Sequence, residues 1–220
     1  TEELEYTYLF ETQGRIISDS RTYRGEVERI KTYTYTDKTI TCLRDGEPKY
    51  VFNIESGRIV SDILDEGGYI YPTTYTYTSD GYLASTITTM EGESTEEFID
   101  ESKLTVTNGN ITEAEWHYLD LEYDSKGNMT IVYGDKPNNL NVDVTLFILE
   151  YSGPFSDYYG KRNKNLPTSM SEIRTYTRNG EEPENYSSVE QYTYTYDGDY
   201  LTKITIAYSS KEYTYEIFYE

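Results

Sequence analysis

The chain has 220 residues, of which 27 are tyrosine, a formal net charge of −21 and a mean hydropathy of −0.75. That length suits one compact domain, and charge of that sign repels phosphate backbones and anionic bilayer surfaces at long range, which excludes nucleic acid as the main partner. The single cysteine, Cys42, rules out an intrachain disulfide and a thiolate metal site, and no stretch approaches the roughly 20 apolar residues of a membrane-spanning helix.

In chain order, one unit recurs: an alternating run, a polar turn with glycine, and a returning run. It is weak at YTYLFETQGRII (Tyr6 to Ile17). It is clearer at VFNIESGRIVSDI (Val51 to Ile63), YTYTSDGYLASTI (Tyr75 to Ile87), LTVTNGNIT (Leu104 to Thr112), LEYDSKGNMTIVY (Leu121 to Tyr133) and YTYTYDGDYLTKITI (Tyr192 to Ile206). Period two puts Tyr192, Tyr194 and Tyr196 on one face of a strand and Thr193 and Thr195 on the other, and Gly198 can adopt the positive φ of a tight hairpin. Turns at Arg44–Gly46, Asp65–Gly68, Met90–Glu93 and Arg178–Glu182 would close the opposite edge. The expected fold is therefore all-β: a single domain over residues 1–220, a long antiparallel meander of hairpins forming a curved open or rolled sheet. Leu, Val and Phe are too few for a thick core. Tyrosine rings packing across strands, hydroxyls in water, are expected to replace them. Cys42, in the strand-like Thr39 to Leu43, reads as a small core residue.

Residues 134–170 break the meander as an irregular insertion. Their apolar middle, Val142 to Tyr151, fits a helix through Val144, Phe147, Ile148 and Tyr151 and a strand through Val142, Val144, Leu146 and Ile148. A capping Asn141 and a terminating Gly153-Pro154 favour a short helix. Just beyond, FSDYYGKRNK (Phe155 to Lys164) gathers Tyr158, Tyr159, Lys161 and Arg162 in an otherwise acidic chain. With Trp116 these are the candidate binding residues for a protein or glycan partner, because rings and cations anchor interfaces. The competing reading has the tyrosines packed on the sheet and the cations neutralising nearby carboxylates.

Chemistry-bearing motifs are scarce. There is one histidine, His117, beside Trp116, and neither a Gly-x-Ser-x-Gly elbow nor a phosphate-cradling loop is present, so no catalytic residue, metal site or cofactor is assigned. Acidic turns such as Asp197-Gly198-Asp199 lack the spaced ligand set of a calcium loop. With 40 Asp and Glu residues, carboxylate pairs carry no signal of their own. The expected role is a monomeric, non-catalytic binder; the alternative is a glycoside-active enzyme, which needs a deep cleft with two carboxylates about 5 to 10 Å apart.

The YTYTYDGDYLTKI hairpin, the insertion from KPNNLNVDV to GKRNKNLPTSM and the tyrosine-rich acidic composition together resemble a domain of secreted Bacteroidetes lipoproteins, distantly similar to YD-repeat proteins. The resemblance covers most of the chain. It implies export, a lipidated cysteine ahead of Thr1 and attachment to the cell envelope, on the periplasmic or outer-membrane surface side. It implies no catalytic residues, and the hairpins are too few to close a YD-type shell.

Overall fold

The two-residue alternation becomes strand throughout. A computed structural model contains β1 (Leu4–Phe10), β2 (Ile16–Tyr23), β3 (Glu26–Tyr35), β4 (Thr39–Arg44), β5 (Glu47–Glu55), β6 (Arg58–Glu66), β7 (Tyr69–Tyr77), β8 (Leu83–Thr88), β9 (Ile99–Thr107), β10 (Asn110–Leu119), β11 (Tyr123–Pro137), β12 (Asn165–Arg178), β13 (Glu184–Asp197), β14 (Tyr200–Tyr208) and β15 (Lys211–Glu216). The structure describes residues 4–11, 15–66, 68–92, 98–139, 144–145, 149, 158–198, 200–209 and 211–216. All 15 strands form one sheet in chain order, each antiparallel to the next, which is the expected meander. Among the described residues β1 and β15 do not pair with each other, so the sheet is not closed into a barrel.

Local chemistry explains the turns. Arg24-Gly25, Asp45-Gly46, Ser56-Gly57 and Asn108-Gly109 each carry positive φ at both residues, the geometry whose twist matches the strands it joins. One expected turn is absent: β11 runs straight through Lys126-Gly127. The chain instead reverses at Asp120 to Glu122, where the Asp120 carboxylate accepts the amides of Glu122 and Tyr123 at 2.8 Å each. Gly127 is a seat, not a turn. A side chain there would place its first carbon 2.3 Å from the indole of Trp116.

The irregular insertion is shorter than its composition suggests, because β11 reaches Pro137, which pairs with Asn165 of β12 across a register shift. Within it Val144 and Thr145 are α-helical, and the Leu149 amide donates to the Thr145 carbonyl at 3.0 Å. The rest of Val142 to Tyr151, with Asn141 and Gly153-Pro154, lies outside the described residues.

A single irregularity is repeated along the sheet. One residue is skipped in the register just inside the returning strand, at Ile17, Val60, Ala84, Thr112, Thr168 and Thr202. Each such bulge sharpens the local twist. The residues before them, Ile16, Ile59, Leu83, Ile111, Pro167 and Leu201, are all buried. A bulge disturbs the ladder locally, and at four of the six a tyrosine of the next strand donates its hydroxyl to that residue's carbonyl. Tyr35 reaches Ile16 at 2.7 Å, Tyr77 reaches Ile59 at 2.5 Å, Tyr133 reaches Ile111 at 2.7 Å and Tyr194 reaches Pro167 at 2.6 Å. Tyr33 and Tyr75 donate to the buried carboxylates of Asp19 and Asp62. These hydroxyls therefore do not stay in water, the place expected for them from composition; they complete the backbone and carboxylate bonding of the interior. Cys42 is buried, as its strand context implies.

The sheet rolls inward over this face. Tyr158 stacks on Tyr35 of β3 while its carbonyl accepts the Tyr77 hydroxyl of β7. Four strand steps of about 4.8 Å would hold those positions roughly 19 Å apart on a flat sheet. Only curvature brings both to one residue.

Candidate binding site: the trough of the rolled sheet

Segment 158–164 fills one end of the roll, beside the hairpin turns at Gly81 and Gly109. Tyr159 is 2% exposed and packs on Tyr75 with ring centroids 5.3 Å apart. Lys161 donates its amide to the Gly81 carbonyl at 2.8 Å, and Lys164 donates to that of Gly109 at 2.9 Å. The buried Asn163 accepts the Ile111 amide at 2.5 Å.

Among the described residues a trough of about 730 Å³ runs from there along the inner face, faced by strands from β3 to β13 and by Leu149. Its walls are aromatic, with Tyr50, Phe52, Tyr71 and Trp116 among them. Its floor carries hydroxyls: Thr73 and Thr88 are 3.0 Å apart, and Thr86 and Ser102 2.8 Å. Towards the rim the rings form a ladder, Tyr69 to Tyr71 at 6.5 Å, Tyr71 to Phe98 at 5.6 Å and Phe98 to Tyr118 at 5.9 Å. Offset and edge-on contacts of this kind fix ring orientation at modest energy.

Carboxylates set the electrostatics. Burial pushes Asp62 up to about 6, against the opposing pull of its bonds from Tyr75 and Thr73. Burial likewise pushes the Tyr75 hydroxyl well above the ordinary tyrosine range, with Tyr159 and Asp62 adding to it. Asp100 shares the trough and is raised by desolvation as well. In the register Asp62, Thr73, Thr88 and Asp100 lie in one row. Thr73 pairs with both Asp62 and Thr88, so two strands intervene between the acids and their Cα atoms stand roughly 14 Å apart along the sheet.

The five candidate residues do not converge. Trp116 faces the trough, lying over Gly127. Tyr158 and Tyr159 pack at the filled end, where Tyr159 is interior scaffold. Lys161 is exposed there with its ammonium 5.7 Å from the Tyr82 ring centre, and Arg162 is half-buried. His117 points to the outer face, its Nε2 3.0 Å from Asp124 and its Nδ1 3.9 Å from Glu101. Sequence reasoning missed Tyr50, Phe52, Asp62 and Tyr71. Alternation told which residues share a strand face, but the bulges decide which face turns inward.

The outer face is of another kind. Outward positions read Ser169, Ser171, Ile173, Thr175, Thr177 along β12 and Asn185, Ser187, Val189, Gln191, Thr193, Thr195 along β13, with Ile173 and Val189 standing singly in water.

No protein-family model and no curated protein matches the chain. Solved structures do. A porin-like protein from Bacteroides vulgatus superposes with a TM-score of 0.63 at 15% identity, over 94% of this chain and 90% of that one. A porin-like protein from Bacteroides uniformis gives 0.59 at 16% identity, over 96% and 88%. At such identities the likeness is one of fold.

Proposed function

We propose that the protein is a non-catalytic component of the cell envelope, held there by a lipid anchor ahead of Thr1, that binds a carbohydrate chain along its trough as a monomeric single domain. The observation that carries this reading is the trough itself: rings that present flat apolar faces, a floor of threonine and serine hydroxyls, and carboxylates able to accept sugar hydroxyls. The Bacteroides origin of the fold's neighbours supports an envelope setting. A pore reading is disfavoured by the outer face of β12 and β13, since a lipid-embedded barrel turns an apolar band outward and polar residues inward, whereas along these two strands threonine and serine predominate outside.

A glycan array with the purified chain, run beside a pull-down from envelope extract, tests the proposal. Trp116→Ala should weaken carbohydrate binding at least about tenfold, the loss of one stacked ring, while leaving Tm within a few degrees. A protein partner captured with no array signal, and lost when Tyr158, Tyr159, Lys161 and Arg162 are replaced by Ala, would move the function to the filled end. The raised acid, Asp62, is what favours the second reading, glycoside hydrolysis. Turnover of an array ligand that vanishes in Asp62→Asn would establish it.

A further inference from the structure

The chain's charge is not evenly spread. Nine of its 19 Lys and Arg residues fall between residues 15 and 58, against seven of its 40 acids. Four of those cations share the inner face of β2 to β4. Arg21 stands directly opposite Arg29, and Lys31 directly opposite Arg44, in consecutive rows of the sheet. Like charges placed opposite one another repel, and a sheet gains nothing from two such pairs side by side.

The neighbouring acids answer this only in part. Arg44 donates to Glu66 at 2.7 Å, and Arg21 has Glu28 at 3.2 Å. Asp19, directly opposite Lys31, also accepts the Tyr33 hydroxyl. Among the described residues Arg29 has no ion-pair partner, and the Lys31 ammonium makes no salt bridge but lies 5.7 Å from the centre of the Tyr50 ring, within the field of Asp19. The Nε atoms of Arg29 and Arg44 are buried without a hydrogen-bond acceptor among the described residues. Desolvation, and then Arg29 and Arg44, pull the Lys31 ammonium below the ordinary lysine range against the field of Asp19. Lys31 also lines the trough, next to Tyr33 and Tyr50. Through Lys31 the cluster adjoins the same cavity, with Arg21, Arg29 and Arg44 behind it on the inner face.

We infer that this corner, Arg21, Arg29, Lys31 and Arg44, is a site for an anionic group, which in the ligand proposed above is a carboxylate or sulfate carried by the sugar chain. Guanidinium groups bind such oxyanions in a fork, and an anion between the two rows would turn two repulsions into attractions. The overall charge of −21 does not forbid it, because screening confines the field to about 8 to 10 Å at physiological ionic strength and the cations are the near neighbours. The identity of the anion's carrier rests on the carbohydrate reading of the trough; the anion site itself does not.

Calorimetric titration of the chain with a galacturonic acid trisaccharide, the matching neutral galactose trisaccharide and sodium sulfate tests it, on the parent, Arg29→Gln, Arg29→Lys and the Arg29→Gln/Lys31→Gln pair. The charged trisaccharide should bind the parent at least tenfold more tightly than the neutral one. That preference should fall steeply with salt, persist in Arg29→Lys and vanish in the double glutamine variant. Without ligand, Arg29→Gln should melt higher than the parent, since it relieves the repulsion. Equal affinity for both trisaccharides would overturn the anion site and leave the carbohydrate reading standing. Sulfate that binds through Arg29 while neither sugar does would keep the anion site and remove the carbohydrate. Silence from both sulfate and the charged sugar, or a preference that survives in the double variant, would overturn the inference.

Discussion

Three residues beyond the buried residue that precedes a bulge, the first half of the sheet places Asp19 and Asp62, and the second half places Ala114 and Met170. All four positions are buried. In the first half each acid takes a tyrosine hydroxyl, from Tyr33 and Tyr75; in the second, Met170 Sδ lies 4.0 Å from the Tyr192 hydroxyl, which itself donates to Glu190. Yet bulge, buried neighbour and tyrosine-to-carbonyl bond are the same in both. The backbone course is thus fixed by the bulge and its tyrosine, and the chemistry of the core is free to vary above it. At Asp62 the polar filling makes the interior sensitive to pH, which the apolar Ala114 and Met170 do not.

Four changes would break or sharpen this comparison. The shared apolar position should matter equally: Ile59→Ala and Ile111→Ala should each cost about 2 to 5 kcal/mol in urea denaturation, by transfer and cavity. A loss under about 1 kcal/mol in either half would mean that the halves are not built alike.

Next comes pH. The folded state holds the Asp62 proton up to about 6, above its value in the unfolded chain, so the folded form binds more protons between roughly 4 and 6. That contribution to stability is fully present below about 4 and is lost as pH rises through 6, on the order of 2 kcal/mol. The stability advantage of the parent over Asp62→Asn should therefore shrink from pH 4 to pH 7.5. Met170→Leu should show a pH-independent difference. An advantage that grew with pH would reverse the assignment of Asp62.

A smaller effect is expected from the tyrosines common to both halves. Tyr35→Phe and Tyr194→Phe each remove one hydroxyl bond to a carbonyl and should cost about 0.5 to 1.5 kcal/mol, alike to within error. Outside the roll, His117→Ala should change stability by less than about 1 kcal/mol, because its contacts with Asp124 and Glu101 lie on the water-facing surface. Unfolding at a much lower urea concentration in that variant would show the outer face to be more than a solvated coat.

The strand grammar was legible because it is local. Tyr-Thr alternation fixes a strand, and a glycine after Asp, Asn or Ser fixes a turn, so the meander could be read nearly hairpin by hairpin. Lys126-Gly127 misled because a glycine that admits an indole from the next strand is spelled like one that turns a hairpin. The bulges left no compositional trace, and each exchanges the faces of the residues beyond it. For that reason Trp116 could be named while Tyr50, Phe52, Asp62 and Tyr71, its companions in the trough, could not. Tyr158 and Tyr159 stood out for composition alone; their contacts with Tyr35 and Tyr75 join positions 123 and 84 residues apart and obey no local rule.

The recurrent bulge also bears on how such a molecule changes size. Because one defect recurs at the same step of six of the seven hairpins along one edge, β3–β4 alone lacking it, the bend is supplied piecewise, and the hairpin becomes the unit in which the girth of the roll is counted. Gaining or losing one hairpin alters the perimeter by two strand spacings, about 10 Å, without redesigning its neighbours. A lineage could therefore widen or narrow the mouth by duplication and deletion, fitting ligands of different calibre with a single repeated piece.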